Sequence, residues 1–407
     1  MLKIAFTVNG PGEYAGWLRP LLHALYARDR ELDATVFFVP DDFATGREPA
    51  VAASEFPRLR IVSPNDYVRF ALGAKLEGLP QSVDRVQYLG GDLMHAMRVH
   101  GRLGGIATSY KFSRPRYARR FARVFAVDQA NREQLIGWKT PAERIEIVGN
   151  LAIDGALRDG QTDDRSASAL AADSVVIMPG SRRHEIANLV PFFLRVAMRL
   201  REMDSSIPVV FGISPFTTAE ELRAALSAGG LPTVYGARGG VVQRDGILYF
   251  VTDEGEFPAL RQGLAAASRA RLAVTIPGTK TIELASLGVP ALVTVPFNAP
   301  EAVVINGPLQ YVERLPFVGV PLKRGLALKF SKRFEFFAQP NLDAGRELFP
   351  EIVGTLTPAM VARRVYEGYN DVAWRASVSR EASQIYAAHA GASQRMADAL
   401  VAEAVAA

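Results

Sequence analysis

Four short runs in this chain place glycine beside groups able to bind anions or move protons. The sharpest is VVIMPGSRRHEI, residues 175–186. An apolar run stops at Pro179-Gly180-Ser181-Arg182. It leads directly into an amphipathic segment with Ile186, Leu189, Val190, Phe193, Leu194, Val196 and Ala197 on its apolar side. Gly180 lets backbone approach a ligand closely, Ser181 can donate a hydroxyl, and Arg182 can fork onto phosphate oxygens. A helix starting there adds its positive end to the same anion site. Ser181 and Glu185 also have the makings of a helix cap, which accounts for the hydroxyl and the acid but not for the arginine pair. The run VTIPGTKTIE, residues 274–283, has the same design. Gly278, Thr279 and Thr281 supply a close approach and two hydroxyls. Glu283 stands where a carboxylate can accept from both ribose hydroxyls of a nucleotide. Its plainer role is a helix-start acid favoured by the dipole. Two such loops in one half of the chain point to a nucleoside diphosphate, and the missing Walker lysine motif disfavours a P-loop NTPase.

The other two runs lie in the first half. VNGPGEYAG, residues 8–16, has Gly10 and Gly12 for close approach and Glu13 as a carboxylate. It is not a dinucleotide fingerprint, because Ala15 stands at the third glycine position and Pro11 lies between the first two. A tight strand-to-helix turn explains it equally well. After the run 85–89 comes Gly90-Gly91-Asp92-Leu93-Met94-His95. Two glycines, a carboxylate and an imidazole suit general-base work, since histidine titrates near neutral pH. The alternative makes Asp92 a helix cap and His95 a partly buried side chain. His23, His100, His184 and His389 are scattered without metal-ligand spacing, and cysteine is absent, so no metal site is expected.

All four runs follow strand candidates. Those candidates are 3–8, 35–39, 60–63, 85–89, 105–109, 124–127 and 145–148, then 175–178, 208–212, 247–251, 272–276 and 291–295. Amphipathic stretches lie between several of them, such as 14–30 with Trp17, Leu18, Leu21, Leu22 and Leu25 on one face. This alternation predicts βαβ units and largely parallel sheets. It pauses at 157–174, LRDGQTDDRSASALAADS, which reads as a linker. The expected organisation is an N-terminal Rossmann-like domain over 1–156, the linker, a second such domain over 175–356, and helices over 357–407. In open α/β sheets ligands bind beyond the carboxyl ends of strands, where all four runs stand.

Composition agrees with this. With 407 residues, two domains are more natural than one. At 49% hydrophobic and 22% charged residues, wholesale disorder is excluded. The complete absence of cysteine excludes disulfides and thiolate chemistry. The first residues lack a secretory leader, and no uncharged apolar run is long enough to span a bilayer. A cytoplasmic protein is expected, with peripheral attachment to the inner face of the membrane as its limit.

The run 178–186 (MPGSRRHEI) closely resembles the Pro-Gly-Ser-Arg-x-x-Glu-Ile signature of lipid-A-disaccharide synthases, and PGTKTIE is similar to their Ser-Gly-Thr-x-Thr-x-Glu segment. Residues 340–347 with 350–352 resemble their late loop. VGNLAID, 148–154, parallels a Val-Gly-His-Pro-x-x-Asp element with Asn150 in the histidine's place. The resemblance runs over roughly the whole chain. It implies a GT-B fold, in which two Rossmann-like domains face a cleft. It also implies inverting transfer of an N-acylglucosamine unit from a UDP-sugar to a lipid-linked or glycan hydroxyl, with no cofactor or metal. In this reading Gly180, Ser181 and Arg182 hold the diphosphate, with Glu185 among the residues that bind the donor. Gly278, Thr279 and Thr281 add to it, Glu283 takes the ribose, and Asn341 comes from the loop covering the nucleotide. On the acceptor side Gly10, Gly12 and Gly91 line the site. There the chain departs from the family pattern. Glu13 stands where the family has aspartate in Ser-Gly-Asp, and His95 replaces the second aspartate of Gly-Ile-Asp-x-Pro-Asp-Phe while Asp92 keeps the first. His95 is then the expected base, oriented by Asp92 or Glu13. A UDP-sugar epimerase or hydrolase on the same scaffold, or a non-catalytic nucleotide-sugar-binding protein, are the alternatives.

The net charge of +5 is small, but it is clustered. Residues 111–123 carry six cations, no acid and three aromatics, and 322–337 repeat the mixture with Lys323, Arg324, Lys329, Lys332 and Arg333. Such stretches suit an anionic lipid surface. Single-stranded nucleic acid is the rival partner for the same composition, and it is not the expected one. No feature of the sequence fixes the oligomeric state.

Overall fold

The computed structural model describes residues 1–41, 44–112, 117–162, 169–298 and 335–402. It divides into two compact units, Met1–Gly155 with Ala388–Ala407, and Ala156–Ala387.

In the first unit β1 (Lys3–Val8), β2 (Asp33–Phe38), β3 (Arg60–Val62), β4 (Arg85–Tyr88), β5 (Ile106–Tyr110), β6 (Arg123–Ala126) and β7 (Ile145–Ile147) form one sheet. Every pairing is parallel, in the order β3-β2-β1-β4-β5-β6-β7. Strands of such a sheet are buried on both faces and read as apolar runs; in β1, Ile4, Ala5, Phe6 and Val8 are all buried. The order reverses between β1 and β4, so the loops after these two strands meet at the topological switch point. After β1 the chain turns through Pro11–Glu13 and a π-turn at Tyr14–Leu18 into the helix Arg19–Arg28, which buries Leu21, Leu22 and Leu25. The helix Ala392–Ala402 closes the same unit. Asp154 anchors it, accepting from Gly391 N at 2.7 Å, Ser393 N at 2.6 Å and Ser393 Oγ at 2.5 Å. Arg85 of β4, fully buried, donates to the Leu400 carbonyl at 2.8 Å.

The second unit holds β8 (Val175–Ile177), β9 (Val209–Gly212), β10 (Gly240–Arg244), β11 (Ile247–Thr252), β12 (Gly255–Leu260), β13 (Leu272–Thr275), β14 (Ala291–Pro296) and β15 (Glu351–Gly354). Their order is β10-β11-β12-β9-β8-β13-β14-β15, parallel from β12 onward and antiparallel within β10-β11-β12. Here the switch point lies between β8 and β13. The helix Arg183–Met203 packs Ile186, Leu189, Val190 and Phe193 into the core, where Val361, Ala362 and Val365 of the helix Pro358–Asn370 join them.

Three strands were not among the sequence candidates. β10 and β11 are joined by a two-residue turn at Asp245-Gly246, both with positive φ (50° and 80°), the conformation that a primed hairpin turn requires. Gly255 and Pro258 argue against β12 in isolation, but pairing with β11 and β9 makes it a strand. β15, Glu351–Gly354, holds only Ile352 and Val353 between a charge and a glycine, too little apolar signal to mark a strand. The linker also starts later than expected, because the helix Leu151–Gly160 occupies its first positions. Gly160 is held there by Ser268 Oγ donating to its carbonyl at 2.9 Å, and a Cβ at that position would lie 2.5 Å from Leu287. Residues 163–168 of that stretch lie outside the described residues.

Candidate active site

At the second switch point the loops after β8 and β13 both open helices. Gly180 has φ 109°, and a Cβ there would lie 2.3 Å from Glu185 Oε2. That glycine curls the loop back, so that Ser181 N and Arg182 N donate to Glu185 Oε2 at 2.8 and 2.9 Å. Glu185, 5% exposed, is therefore the internal anion of this helix start. It holds the loop, as the helix-cap reading expects, and the backbone amides of Ser181 and Arg182 are engaged with it. The same loop carries the Ser181 hydroxyl and the Arg182 and Arg183 guanidinium groups. Arg182 lies 3.5 Å from Glu185 Oε1, and Arg183 pairs with Glu221 at 3.4 Å.

After β13, Gly278 adopts φ 144° and the helix Thr279–Ser286 begins. Thr281 is fully buried and its hydroxyl donates to the Gly278 carbonyl at 2.8 Å. This hydrogen bond ties Thr281 to the start of the loop. Glu283 is 5% exposed and receives Lys280 Nζ at 2.5 Å. Lys280 was not among the expected site residues, although its spacing of three from Glu283 was visible. Asn341 differs most from expectation. It is completely buried, and its Oδ1 accepts from Leu348 N at 2.9 Å and Phe349 N at 2.7 Å. Its Nδ2 donates to the Phe349 carbonyl and to Glu351 Oε1, both at 2.8 Å. With its amide saturated, Asn341 pins the late loop together. Glu351, part of the same late-loop resemblance, also collects Phe337 N and Ala338 N.

At the first switch point the ends of β1, β2 and β4 converge. A Cβ on Gly90 would meet Asn9 Oδ1 at 2.3 Å and Glu13 Cγ at 2.9 Å. A Cβ on Gly91 (φ 87°) would meet Val39 Cγ2 at 2.6 Å and His95 Cδ2 at 3.6 Å. A Cβ on Gly10 would lie 3.2 Å from Glu13 Oε2. The glycines are therefore what let Glu13, Asn9 and His95 share this place, whereas a Cβ on Gly12 would meet nothing within 4 Å. Asn9 Nδ2 donates to Asp41 at 3.1 Å, while its Oδ1 is buried with no donor among the described residues. Asp92 is exposed and caps the helix Leu93–Leu103 through Met94 N at 2.8 Å. His95 is not held by a carboxylate hydrogen bond: its Nδ1 lies 2.7 Å from Tyr67 Oη. Tyr67 and Asn9 were both missed by sequence reasoning, because nothing in a lone tyrosine on another helix signals a histidine 28 residues on. Asn150, in the place of the family's histidine, caps the helix Leu151–Gly160 through Ala152 N at 3.1 Å.

The aromatics of the first basic run turn inward. Phe112 and Phe121 are buried and stack at 6.1 Å between centroids, and Arg123 pairs with Glu146 at 3.0 Å. This corrects the expected lipid-facing role of these rings, while Arg119 and Arg120 are exposed. Residues 113–116, and most of the second run (322–334), lie outside the described residues. Among the described residues no helix is long and apolar enough to cross a membrane, and no three metal-binding side chains converge.

No protein-family model matches the chain. Over 223 residues it is 27% identical to a lipid-A-disaccharide synthase of Granulibacter bethesdensis. That match takes in 53% of this chain and 45% of the relative, so it spans less than half of the relative's length. Among solved structures, a provisionally named UDP-N-acetylglucosamine 2-epimerase from Listeria monocytogenes superposes with a TM-score of 0.61 at 12% identity, covering 100% of this chain and 97% of that one. The S. aureus MnaA–UDP co-structure gives 0.59 at 15% identity, covering 100% and 97%. The class this defines is the GT-B fold: two α/β units, each a Rossmann-like sheet, followed by helices.

Proposed function

We propose that this protein is an inverting glycosyltransferase similar to lipid-A-disaccharide synthases. It moves an N-acylglucosamine-type sugar from UDP to the hydroxyl of a lipid-linked or glycan acceptor. The observation that carries this reading is that MPGSRR and PGTKTIE follow β8 and β13, the two strands flanking the switch point of the second sheet. The similarity to a lipid-A-disaccharide synthase supports it. In this reading Ser181, Arg182 and Arg183 meet the diphosphate and Glu283 meets the ribose. The acceptor oxygen bonds to the anomeric carbon as the bond from that carbon to UDP breaks, and UDP leaves with the electron pair. Cationic side chains and the Ser181 hydroxyl stabilise its departure in place of a metal ion. The hydroxyl proton passes to a side chain of the Glu13–His95 group on the first unit.

The test is UDP release from UDP-N-acylglucosamine donors with and without cell-envelope lipid acceptors. Acceptor-dependent release is expected. Release or isomerisation without acceptor replaces the reading with a hydrolase or epimerase, the latter being what the Listeria monocytogenes neighbour is named as. UDP binding without turnover across a broad acceptor panel makes the chain a nucleotide-sugar-binding protein. Peripheral attachment through Arg119, Arg120 and the second basic run is part of the proposal, and it is dropped if the protein ignores anionic liposomes at low salt.

A further inference from the structure

Which imidazole nitrogen of His95 carries the hydrogen decides what that residue can do. Tyr67 lies on the helix Pro64–Ala71, whose start is capped by Ser63 Oγ accepting from Asp66 N at 3.2 Å. Its ring meets that of His95 edge-on, with centroids 5.2 Å apart, and its Oη lies 2.7 Å from Nδ1. Tyr67 is 3% exposed, and among the described residues the acceptor its hydroxyl reaches is His95 Nδ1. A buried hydroxyl proton left without an acceptor costs roughly 1–3 kcal/mol. Were the hydrogen on Nδ1, pointing at Oη, the phenolic proton would have nowhere to go. Burial pushes the Tyr67 phenol up to about 12, against a smaller downward pull from Arg98, so that proton stays in place. Burial also holds the His95 imidazole below its ordinary 6.5, with Asp92 opposing, which favours the neutral ring. The proton inventory then has one solution: Tyr67 O–H donates to Nδ1, and the hydrogen of the neutral ring sits on Nε2.

The opposite edge of the ring faces the switch point. Cδ2, bonded to Nε2, is the His95 atom nearest Gly91, 3.6 Å from where a Cβ on that glycine would stand. A neutral imidazole with hydrogen on Nε2 can donate there but cannot take a proton there. Glu13 flanks the adjacent glycines, Gly10 and Gly90, in the first turn after β1.

We infer that Tyr67 is a positioning residue that fixes His95 as a hydrogen-bond donor, and that Glu13 is the base that takes the proton of the acceptor hydroxyl. This rests on the glycosyltransferase reading and reassigns the base expected from the sequence. His95 Nε2–H then donates to the acceptor oxygen and turns its lone pair toward the anomeric carbon. The proton moves from that oxygen to the Glu13 carboxylate as the new glycosidic bond forms.

The decisive measurement is the tautomer of His95 in the full-length protein labelled with 15N-histidine. Long-range 15N–1H correlations report it, assigned by the signal lost in His95→Gln. Hydrogen on Nε2 in the wild type, and a mixture of tautomers in Tyr67→Phe, are expected. Hydrogen on Nδ1, or a cationic ring at neutral pH, overturns the inference. On turnover, Glu13→Gln should lower kcat by ~100-fold or more, the usual scale of general-base catalysis. His95→Gln, whose amide keeps one acceptor for Tyr67 and one donor for the site in altered geometry, should lower it by no more than about tenfold, the worth of one weakened hydrogen bond. The reverse ranking also overturns it. If the wild type turns over no UDP-sugar, the glycosyltransferase reading fails, while the NMR spectrum still decides the tautomer.

Discussion

Replacing Asn341 by alanine separates a scaffold role from a ligand role at the late loop. The side chain makes four hydrogen bonds at 2.7–2.9 Å in a position with no solvent exposure. Alanine leaves Leu348 N, Phe349 N and the Phe349 carbonyl without this partner in a buried place. An unsatisfied buried group costs roughly 1–3 kcal/mol, and neighbouring losses are not additive, so about 3–4 kcal/mol in total is expected. For a unit of 150–250 residues each kcal/mol moves Tm by roughly 2–4 °C, which gives a fall of about 6–15 °C. Differential scanning calorimetry with and without UDP is the assay. The Tm should drop by this amount, while the UDP-induced upward shift and the UDP Kd stay within about threefold of wild type, a change under ~1 kcal/mol. Asn341→Asp is the control. It keeps the acceptor for both backbone amides but sets a second carboxylate against Glu351 Oε1, now 2.8 Å from the amide nitrogen, and should also destabilise. An unchanged Tm with UDP affinity lost tenfold in the alanine variant would refute the reasoning and return Asn341 to the nucleotide.

Three further outcomes can be checked. Glu283→Gln should weaken UDP binding about tenfold or more by isothermal titration, the worth of a charge-assisted hydrogen bond; unchanged affinity removes Glu283 from the donor site. His95 is held below 6.5 mainly by burial, so the unfolded chain binds its proton first as pH falls. Its contribution is therefore complete above pH 6.5 and lost as pH drops from there toward the folded-state value, with a slope of at most ~1.4 kcal/mol per pH unit. Urea melts of wild type and His95→Gln should diverge in that window, with the wild type losing more stability toward acid; parallel curves contradict this. Asp154→Ala removes the acceptor for Gly391 N, Ser393 N and Ser393 Oγ, and should destabilise by about 2–3 kcal/mol. Hydrogen exchange in Ala392–Ala402 should accelerate, and unaltered protection there would show that the anchor lies elsewhere.

Much of the architecture was legible because parallel strands are apolar on both faces and stand out as short runs. β1 was bounded to the residue, and the other strands found in the sequence end within a residue or two of their expected limits. The strands that escaped, β10, β12 and β15, are short or interrupted by Gly and Pro. They become strands through pairing, which no local window contains. The Asp245-Gly246 turn was the one available signal for β10.

The candidate site divides along the same line. Residue type and spacing within one loop determined that Gly180–Arg182 and Gly278–Glu283 lie at strand ends opening helices, and that Glu13 and His95 follow β1 and β4. Those are local facts, written by the order of residues along a few turns. Tertiary structure alone decided which atoms are available. Glu185 folds back onto the amides of Ser181 and Arg182, Thr281 caps Gly278, and Asn341 closes on Phe349 and Glu351. The partner of His95 comes from a different helix, so its proton is placed by a contact that the linear sequence does not hold. A buried polar group takes whichever partner the fold brings within reach, and that partner determines whether the group is left to do chemistry.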